Sequence, residues 1–143
     1  MGQRPDKLSV IVFSGAFERV HYALATAAAA AAIDTPATLF FTMEATRALG
    51  KGAADAPGWH ALPTEHGATA AELDATYRER GVAGFEELLE SCVALDVQFL
   101  VCEMGLRAIA LEASALRDDV PVREGGLVTF LTDASATGAM LFI

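Results

Sequence analysis

The feature that most constrains the fold is a change of hydrophobic period near the start of the chain. Residues 8–13 (LSVIVF) are apolar and rich in branched side chains, which is typical of a buried strand. From residue 16 to residue 32 the apolar side chains recur at helical spacing, and many are alanines that let a helix lie close to a sheet. Residues 37–42 (ATLFFT) predict a second strand. The three segments form a βαβ unit, in which the strands are parallel and the crossover is right-handed.

The same alternation of patterns returns in the second half of the chain. Further elements are predicted as a short helix at 43–49, a helix at 84–95, a strand at 97–102, a helix at 104–116, a strand at 127–131 and a strand at 139–143, with a turn or short helix at 133–137 before the last strand. Five strands with helices between them favour a doubly wound sheet. We therefore expect residues 1–143 to form one α/β domain, a three-layer sandwich around a mostly parallel five-stranded sheet.

Residues 51–82 interrupt this pattern. They mix glycine, proline, alanine, threonine and acidic residues, and they contain one helical stretch at 70–80 with no clear apolar face. A segment of this length without a core of its own is typically a functional loop or a disordered excursion. We predict a variable loop or lid near the ligand-binding edge, and the least ordered part of the chain, because a segment of this composition buries too little to offset the entropy of ordering.

Charge and hydropathy exclude several classes of partner. The net charge is −9, with 10 basic residues against 19 acidic ones, which disfavours nucleic acid. The most apolar run, residues 22–33, is shorter than the roughly 20 residues that cross a bilayer, so no membrane partner is expected.

The start of the chain has no secretory pattern and there are only two cysteines, which favours a reducing cytoplasm. The hydrophobic fraction of 53% and the apolar strand at 139–143 predict a homo-oligomer.

Cys102 is the candidate for chemistry, because it ends a predicted strand where a helix begins, a position that exposes the sulfur at the ligand-binding edge of the sheet. Ligands of doubly wound sheets bind outside the carboxyl ends of the strands. A helix N-terminus stabilises negative charge, and a thiolate attacks disulfides and persulfides. The neighbouring Glu103 opposes that charge, which Arg107 offsets if it folds back. The side chains and loops expected to line a pocket around the sulfur are Ser14, Gly15, Met43, Glu103, Met104 and Arg107.

Other interpretations of the cysteines remain open. Cysteine is often buried and inert, so Cys102 could be a packing residue. Cys92 lies on the apolar face of its predicted helix, which indicates core packing, although a redox pair with Cys102 is also conceivable.

The three histidines fit no zinc spacing, and the chain has neither a dinucleotide loop nor a P-loop. No metal and no cofactor are therefore predicted.

The order of these segments resembles that of a known family. The segments that carry the resemblance are 7–15 (KLSVIVFSG), the alanine-rich first helix, 37–42 (ATLFFT), 85–89 (FEELL), 97–104 (VQFLVCEM), 125–131 (GGLVTFL) and 141–143 (LFI). Together they look like the DsrE/DsrF-like family of small sulfur-trafficking proteins, in particular its stand-alone, peroxiredoxin-like branch. The resemblance implies a flavodoxin-like fold, homo-oligomers, and a persulfide on Cys102 exchanged with sulfur donor and acceptor proteins.

Two positions depart from the pattern of that branch. Where it often reads Cys-x-Met-Ser-Met, this chain has Cys102-Glu-Met104-Gly-Leu. The aromatic residue and glycine that often follow the second strand are replaced by Met43-Glu44-Ala45. The chain also lacks the Thr-x-x-Cys setting of peroxiredoxins, so peroxidase activity is not expected.

Two functions follow from these observations. The first is a persulfide carrier or sulfurtransferase that acts through Cys102. The alternative is a non-enzymatic module of the same fold that binds a small ligand or assembles with a partner, with Cys102 inert.

Overall fold

A computed structural model describes residues 3–143, and its strands form one parallel sheet. The strands are β1 (Leu8–Val12), β2 (Ala37–Phe41), β3 (Gln98–Cys102), β4 (Val122–Gly125) and β5 (Ala139–Phe142). They pair in the order β4-β3-β2-β1-β5, and every neighbouring pair is parallel. The predicted five-stranded α/β sheet is confirmed, in an all-parallel form.

Helices cover both faces of this sheet. They are α1 (Phe17–Ala32), α2 (Ala70–Glu79), α3 (Phe85–Ala94), α4 (Glu103–Ala108) and α5 (Leu127–Asp133), with short 3₁₀ segments at Met43–Leu49, Gly58–Ala61 and Ala113–Ala115. The predicted three-layer arrangement is confirmed as well.

The alternation of side chains along the strands divides the core into two parts. On one side, which we call the α1 face, strand residues pack with α1 and α3; they include Val10, Val12, Leu39, Phe41, Phe99 and Val101. On the other side, the α5 face, a small cluster contains Phe40, Leu100, Cys102 and Phe130, with Ile11 packed against it.

The two faces are covered unequally because of the order of the strands. From β1 to β4 the chain moves steadily across the sheet, so right-handed crossovers place the connecting helices on the α1 face. Only the return from β4 to β5 crosses the α5 face, and it does so with α5, which has 7 residues. A helix of that length spans about 10 Å, too little to cover five strands. Much of the α5 face near β5 therefore stays open.

The structure corrects the predicted fourth strand. Residues 127–131 do not form it; β4 is Val122–Gly125, and residues 127–133 form α5. The apolar residues Leu127, Phe130 and Leu131 have the i, i+3, i+4 spacing of a helix, and Phe130 is the one that points into the core. The glycines at 125 and 126 end the strand and begin the helix instead of introducing a strand.

The predicted helix at 104–116 is also shorter than expected. It begins at Glu103 and ends at Ala108, and a separate 3₁₀ turn follows at Ala113–Ala115. Ala110 has a φ of 54°, a left-handed conformation that a helix cannot continue through. The sequence offers no glycine or proline at this point to signal the end.

The segment 51–82 contributes more to the core than its composition suggests. Trp59, Leu62 and Ala70 are buried in the α1-face core. The Trp59 ring stacks on Phe85 at a centroid distance of 4.8 Å, and its Nε1 donates to Glu86 Oε2 at 2.6 Å. The expectation that this segment buries little is wrong, because one large aromatic residue anchors it. Its role as a lid stays a prediction.

Candidate functional site

Cys102 is the last residue of β3 and the N-cap of α4. Its backbone is still extended, with φ −74° and ψ 119°, and the helix begins at Glu103. The sulfur accepts a hydrogen bond from the backbone N–H of Gly105 at 3.4 Å. The predicted place of the cysteine, at a strand end before a helix, agrees with the structure.

The sulfur is nevertheless covered, contrary to the expectation that this position exposes it. Cys102 is 1% exposed, and it packs with Phe40, Leu100 and Phe130. α5 contributes Phe130 to this cluster, and the sequence pattern presents that helix as a strand. The error in the secondary structure therefore hides one of the residues that surround Cys102.

Two sets of contacts fix α5 against the sheet. Near its middle, the Phe130 ring stacks on Phe40 at 4.9 Å. At its C-terminal end, the Asp133 carboxylate accepts hydrogen bonds from Lys7 Nζ at 2.6 Å and from Thr38 Oγ1 at 2.7 Å. Burial disfavours the charge on Asp133, but the bonds from Lys7 and Thr38 outweigh that effect and hold its pKa below the ordinary value.

The two glycines before α5 differ in their packing. A Cβ added at Gly126 would meet no heavy atom within 4 Å, whereas one at Gly125 would contact Leu100 and Thr129 at 3.1 Å. Gly125 therefore belongs to the packed sheet, and Gly126 joins it to α5 without packing of its own.

The loops after β1, β2 and β3 close tightly on one another. A Cβ at Gly15 would lie 2.8 Å from the Cβ of Glu44, and one at Gly105 would lie 2.7 Å from the backbone nitrogen of Met43. The Ser14 hydroxyl is used locally, as the acceptor for the N–H of Ala16 at 3.1 Å. The strand ends meet as the sequence predicts, but Ser14, Gly15 and Met43 form packed loops there.

The other predicted pocket residues, Glu103, Met104 and Arg107, are close to Cys102 in sequence, but their side chains do not face its sulfur. Met104 is half-exposed. Glu103 and Arg107 line a groove of about 510 Å³ whose other walls are Leu106, Ala110, Leu111, Glu112, Ala113 and Glu124. The structure thus surrounds Cys102 with apolar side chains, and it places the charged pair outside that cluster.

Cys92 occupies the opposite face of the sheet. It is fully buried in the α1-face core, and its thiol donates to the carbonyl of Leu24 at 3.3 Å. Burial raises the pKa of Cys92 to about 12. Its predicted packing role agrees with this position. Because Cys102 lies in the α5-face cluster, the hypothesis of a redox pair between the two cysteines is wrong.

Sequence reasoning missed Phe130 and the α5 cover altogether. The only signal for them is the helical spacing of Leu127, Phe130 and Leu131, and a run of five residues is too short to establish a helical period.

Within residues 3–143, no three His, Cys, Asp or Glu side chains are grouped closely enough to hold a metal ion. In the same range, no helix combines the length and apolar character needed to cross a membrane.

Comparisons with known proteins identify the fold. No family model and no curated protein matches the sequence. A solved structure of MTH1491 from Methanobacterium thermoautotrophicum, a protein of unknown function, superposes with a TM-score of 0.57 at 12% identity, over 96% of this chain and 98% of that one. YchN from E. coli superposes with a TM-score of 0.54 at 20% identity, over 96% and 99% of the two chains. At these identities the likeness is one of architecture, and the chain has a DsrE/YchN-like α/β fold.

Proposed function

We propose that this protein is a sulfur-trafficking protein that carries a sulfur atom on Cys102 as a persulfide. The observation that carries the proposal is the position of the thiol, at the carboxyl end of an interior parallel strand with the Gly105 N–H directed at its sulfur. The resemblance of residues 97–104 to the cysteine segment of the DsrE/DsrF-like family supports the same role.

Loading is a thiol–persulfide exchange. The Cys102 thiolate attacks the outer sulfur of a donor persulfide, R–S–SH, and a new S–S bond forms as the donor's S–S bond breaks. The donor leaves as R–S⁻, and the protein holds Cys–S–SH. Delivery is the same exchange in the opposite direction, onto the thiolate of an acceptor. No external oxidant or reductant is needed.

The apolar surroundings favour a carrier over a sulfurtransferase with its own acid and base. Cys102 belongs to an apolar cluster with Phe40, Leu100 and Phe130, none of which can transfer a proton. They can, however, shield a bound persulfide from water and from cellular thiols. Exchange therefore requires α5 to move aside, and sulfur donor and acceptor proteins are the partners that the proposal calls for.

The second candidate is a binding or assembly module with an inert Cys102. It is favoured by the 1% exposure of that residue and by the open apolar surface around β5. The two functions predict opposite behaviour of the Cys102 thiol in native protein. It is reactive in a carrier and inert in a binding or assembly module.

Sulfur loading of the native protein separates them. After incubation with glutathione persulfide, intact mass should increase by about 32 Da per added sulfur, and a dithiol should reverse the change. Cys102→Ser should abolish the adduct, and the matched Cys92→Ser variant should retain it. If native protein gains no mass at pH 8 while unfolded protein does, Cys102 is inert and the assembly module replaces the carrier.

A further inference from the structure

Thr42 is the neighbour of Cys102 across the sheet. The last pair in the register of β2 and β3 is Phe41 with Val101, and Thr42 and Cys102 are the next residues of the two chain segments. Both keep an extended backbone, with φ −141° and ψ 161° at Thr42 and φ −74° and ψ 119° at Cys102. Paired residues of parallel strands point their side chains to the same face of the sheet. The side chain of Thr42 therefore lies beside that of Cys102.

The course of β2 supports this orientation. Side chains alternate between the two faces along a strand. Those of Thr38 and Phe40 both contact α5, because Thr38 Oγ1 donates to Asp133 and the Phe40 ring stacks on Phe130. Thr42 is the next residue of this alternating series, so its side chain is also on the α5 face.

The Thr42 hydroxyl is buried but unused. Thr42 is only 6% exposed, and it is the N-cap of the 3₁₀ segment Met43–Leu49. A threonine at such a position usually accepts a hydrogen bond from a backbone N–H of the following turn, but this bond is not formed here. Its backbone N–H donates to Val12, whereas its hydroxyl takes part in no hydrogen bond within residues 3–143. A buried hydroxyl without a partner calls for an explanation, and a ligand that it binds is one.

Gly105 connects this hydroxyl to the sulfur. Its N–H donates to Cys102 Sγ at 3.4 Å, and a Cβ added to Gly105 would lie 2.7 Å from Thr42 Oγ1. The oxygen of Thr42 thus borders the space that a side chain at position 105 would fill. The turn after β3 brings the Cys102 sulfur, a main-chain donor and an unused hydroxyl together.

We infer that the Thr42 hydroxyl donates a hydrogen bond to the outer sulfur of a persulfide on Cys102, and so stabilises the loaded form of the protein. Neighbouring strands lie about 4.8 Å apart, and no hydrogen bond joins Thr42 Oγ1 to the unloaded thiol. A persulfide adds a second sulfur about 2 Å from the first, which brings sulfur within reach of the hydroxyl. The bond is strongest when the outer sulfur is ionised. The inference rests on the proposed carrier function.

Sulfur exchange at equilibrium tests this role. Native protein and variants are incubated at a fixed ratio of glutathione persulfide to glutathione, and intact mass gives the ratio of loaded to unloaded chains. Thr42→Val keeps the shape of the side chain without the hydroxyl. Its ratio should be about 10-fold lower than the native one, as expected for the loss of one hydrogen bond to a charged group. Thr42→Ser keeps the hydroxyl and is the matched control, with a ratio close to the native one.

A second measurement separates binding of the outer sulfur from a merely structural effect. Without a persulfide donor, iodoacetamide alkylation of Cys102 should proceed in Thr42→Val near the native rate, because the hydroxyl does not reach the inner sulfur. Circular dichroism checks the fold, and Thr42→Ala, which also lacks the hydroxyl, gives the same comparison if the valine variant does not fold.

The outcomes distinguish this inference from the carrier function. If native protein and Thr42→Val load equally, or if the alkylation rate changes as much as the loading, Thr42 does not bind the outer sulfur, and the carrier function stands without it. If native protein takes up no sulfur, the carrier function is wrong, and the role of Thr42 is overturned with it.

Discussion

Replacing Phe130 with alanine tests whether α5 controls access to Cys102. Phe130 is the buried residue of α5, and its ring stacks on Phe40 at 4.9 Å. Removing a buried phenyl group costs about 3 kcal/mol or more. Because α5 is short and joined through Gly126, we expect the loss to be felt first as local opening of this helix. A cost of about 3 kcal/mol raises the population of the open form by roughly 100-fold.

The assay is the rate of iodoacetamide alkylation of each cysteine in native protein, resolved by peptide mapping. In Phe130→Ala the rate at Cys102 should increase by roughly 100-fold, as long as opening is fast relative to alkylation. Cys92, buried on the other face of the sheet, is an internal control and should stay unreactive. Leu131→Ala, at a site 57% exposed on the same helix, should leave both rates near those of the native protein.

Two results would refute this reasoning. An unchanged rate at Cys102 would mean that α5 does not limit access to the sulfur. An equal increase at both cysteines would mean that the variant opens the whole domain, so that no separate cover exists.

Three further outcomes follow from the packing around the site. Gly105→Ala puts a Cβ 2.7 Å from backbone and should cost about 1–3 kcal/mol in a urea titration, more than Gly126→Ala, where the added Cβ meets nothing within 4 Å. Gly126→Ala should change stability by less than about 1 kcal/mol and slow the alkylation of Cys102, because it restricts the joint. The lowered pKa of Asp133 contributes stability above its unfolded pKa, and that stability is lost as the pH falls through the folded value. Thermal melts from pH 6 to pH 3 should therefore decline less in Asp133→Asn than in the native protein, provided that the variant folds.

The first half of the fold could be predicted from the sequence because its patterns are long. The strand before α1, the 16 residues of α1 and the strand after it each have a clear period, and their parallel pairing follows from chain order. The end of α4 at Ala108 could not be predicted, because nothing in the local sequence indicates that Ala110 adopts a left-handed conformation.

The site was predictable in its sequence position but not in its environment. A strand end before a helix is a local pattern, and it placed Cys102 correctly. Its cover depends on Phe130, which is distant in sequence and lies in a five-residue apolar run that fits a strand as well as a helix. Trp59 shows the same limit of prediction from sequence. Whether the polar segment 51–82 is anchored to the core depends on the burial of this one side chain.

The most direct test of the carrier function is the delivery of sulfur from loaded protein. Native protein is loaded with glutathione persulfide, separated from the donor, and treated with cyanide, which removes the outer sulfur of a persulfide as thiocyanate. If Cys102 carries the sulfur, native protein and Cys92→Ser should each release about one thiocyanate per chain, and Cys102→Ser none above background. Equal thiocyanate from Cys102→Ser, or none from native protein, would contradict it.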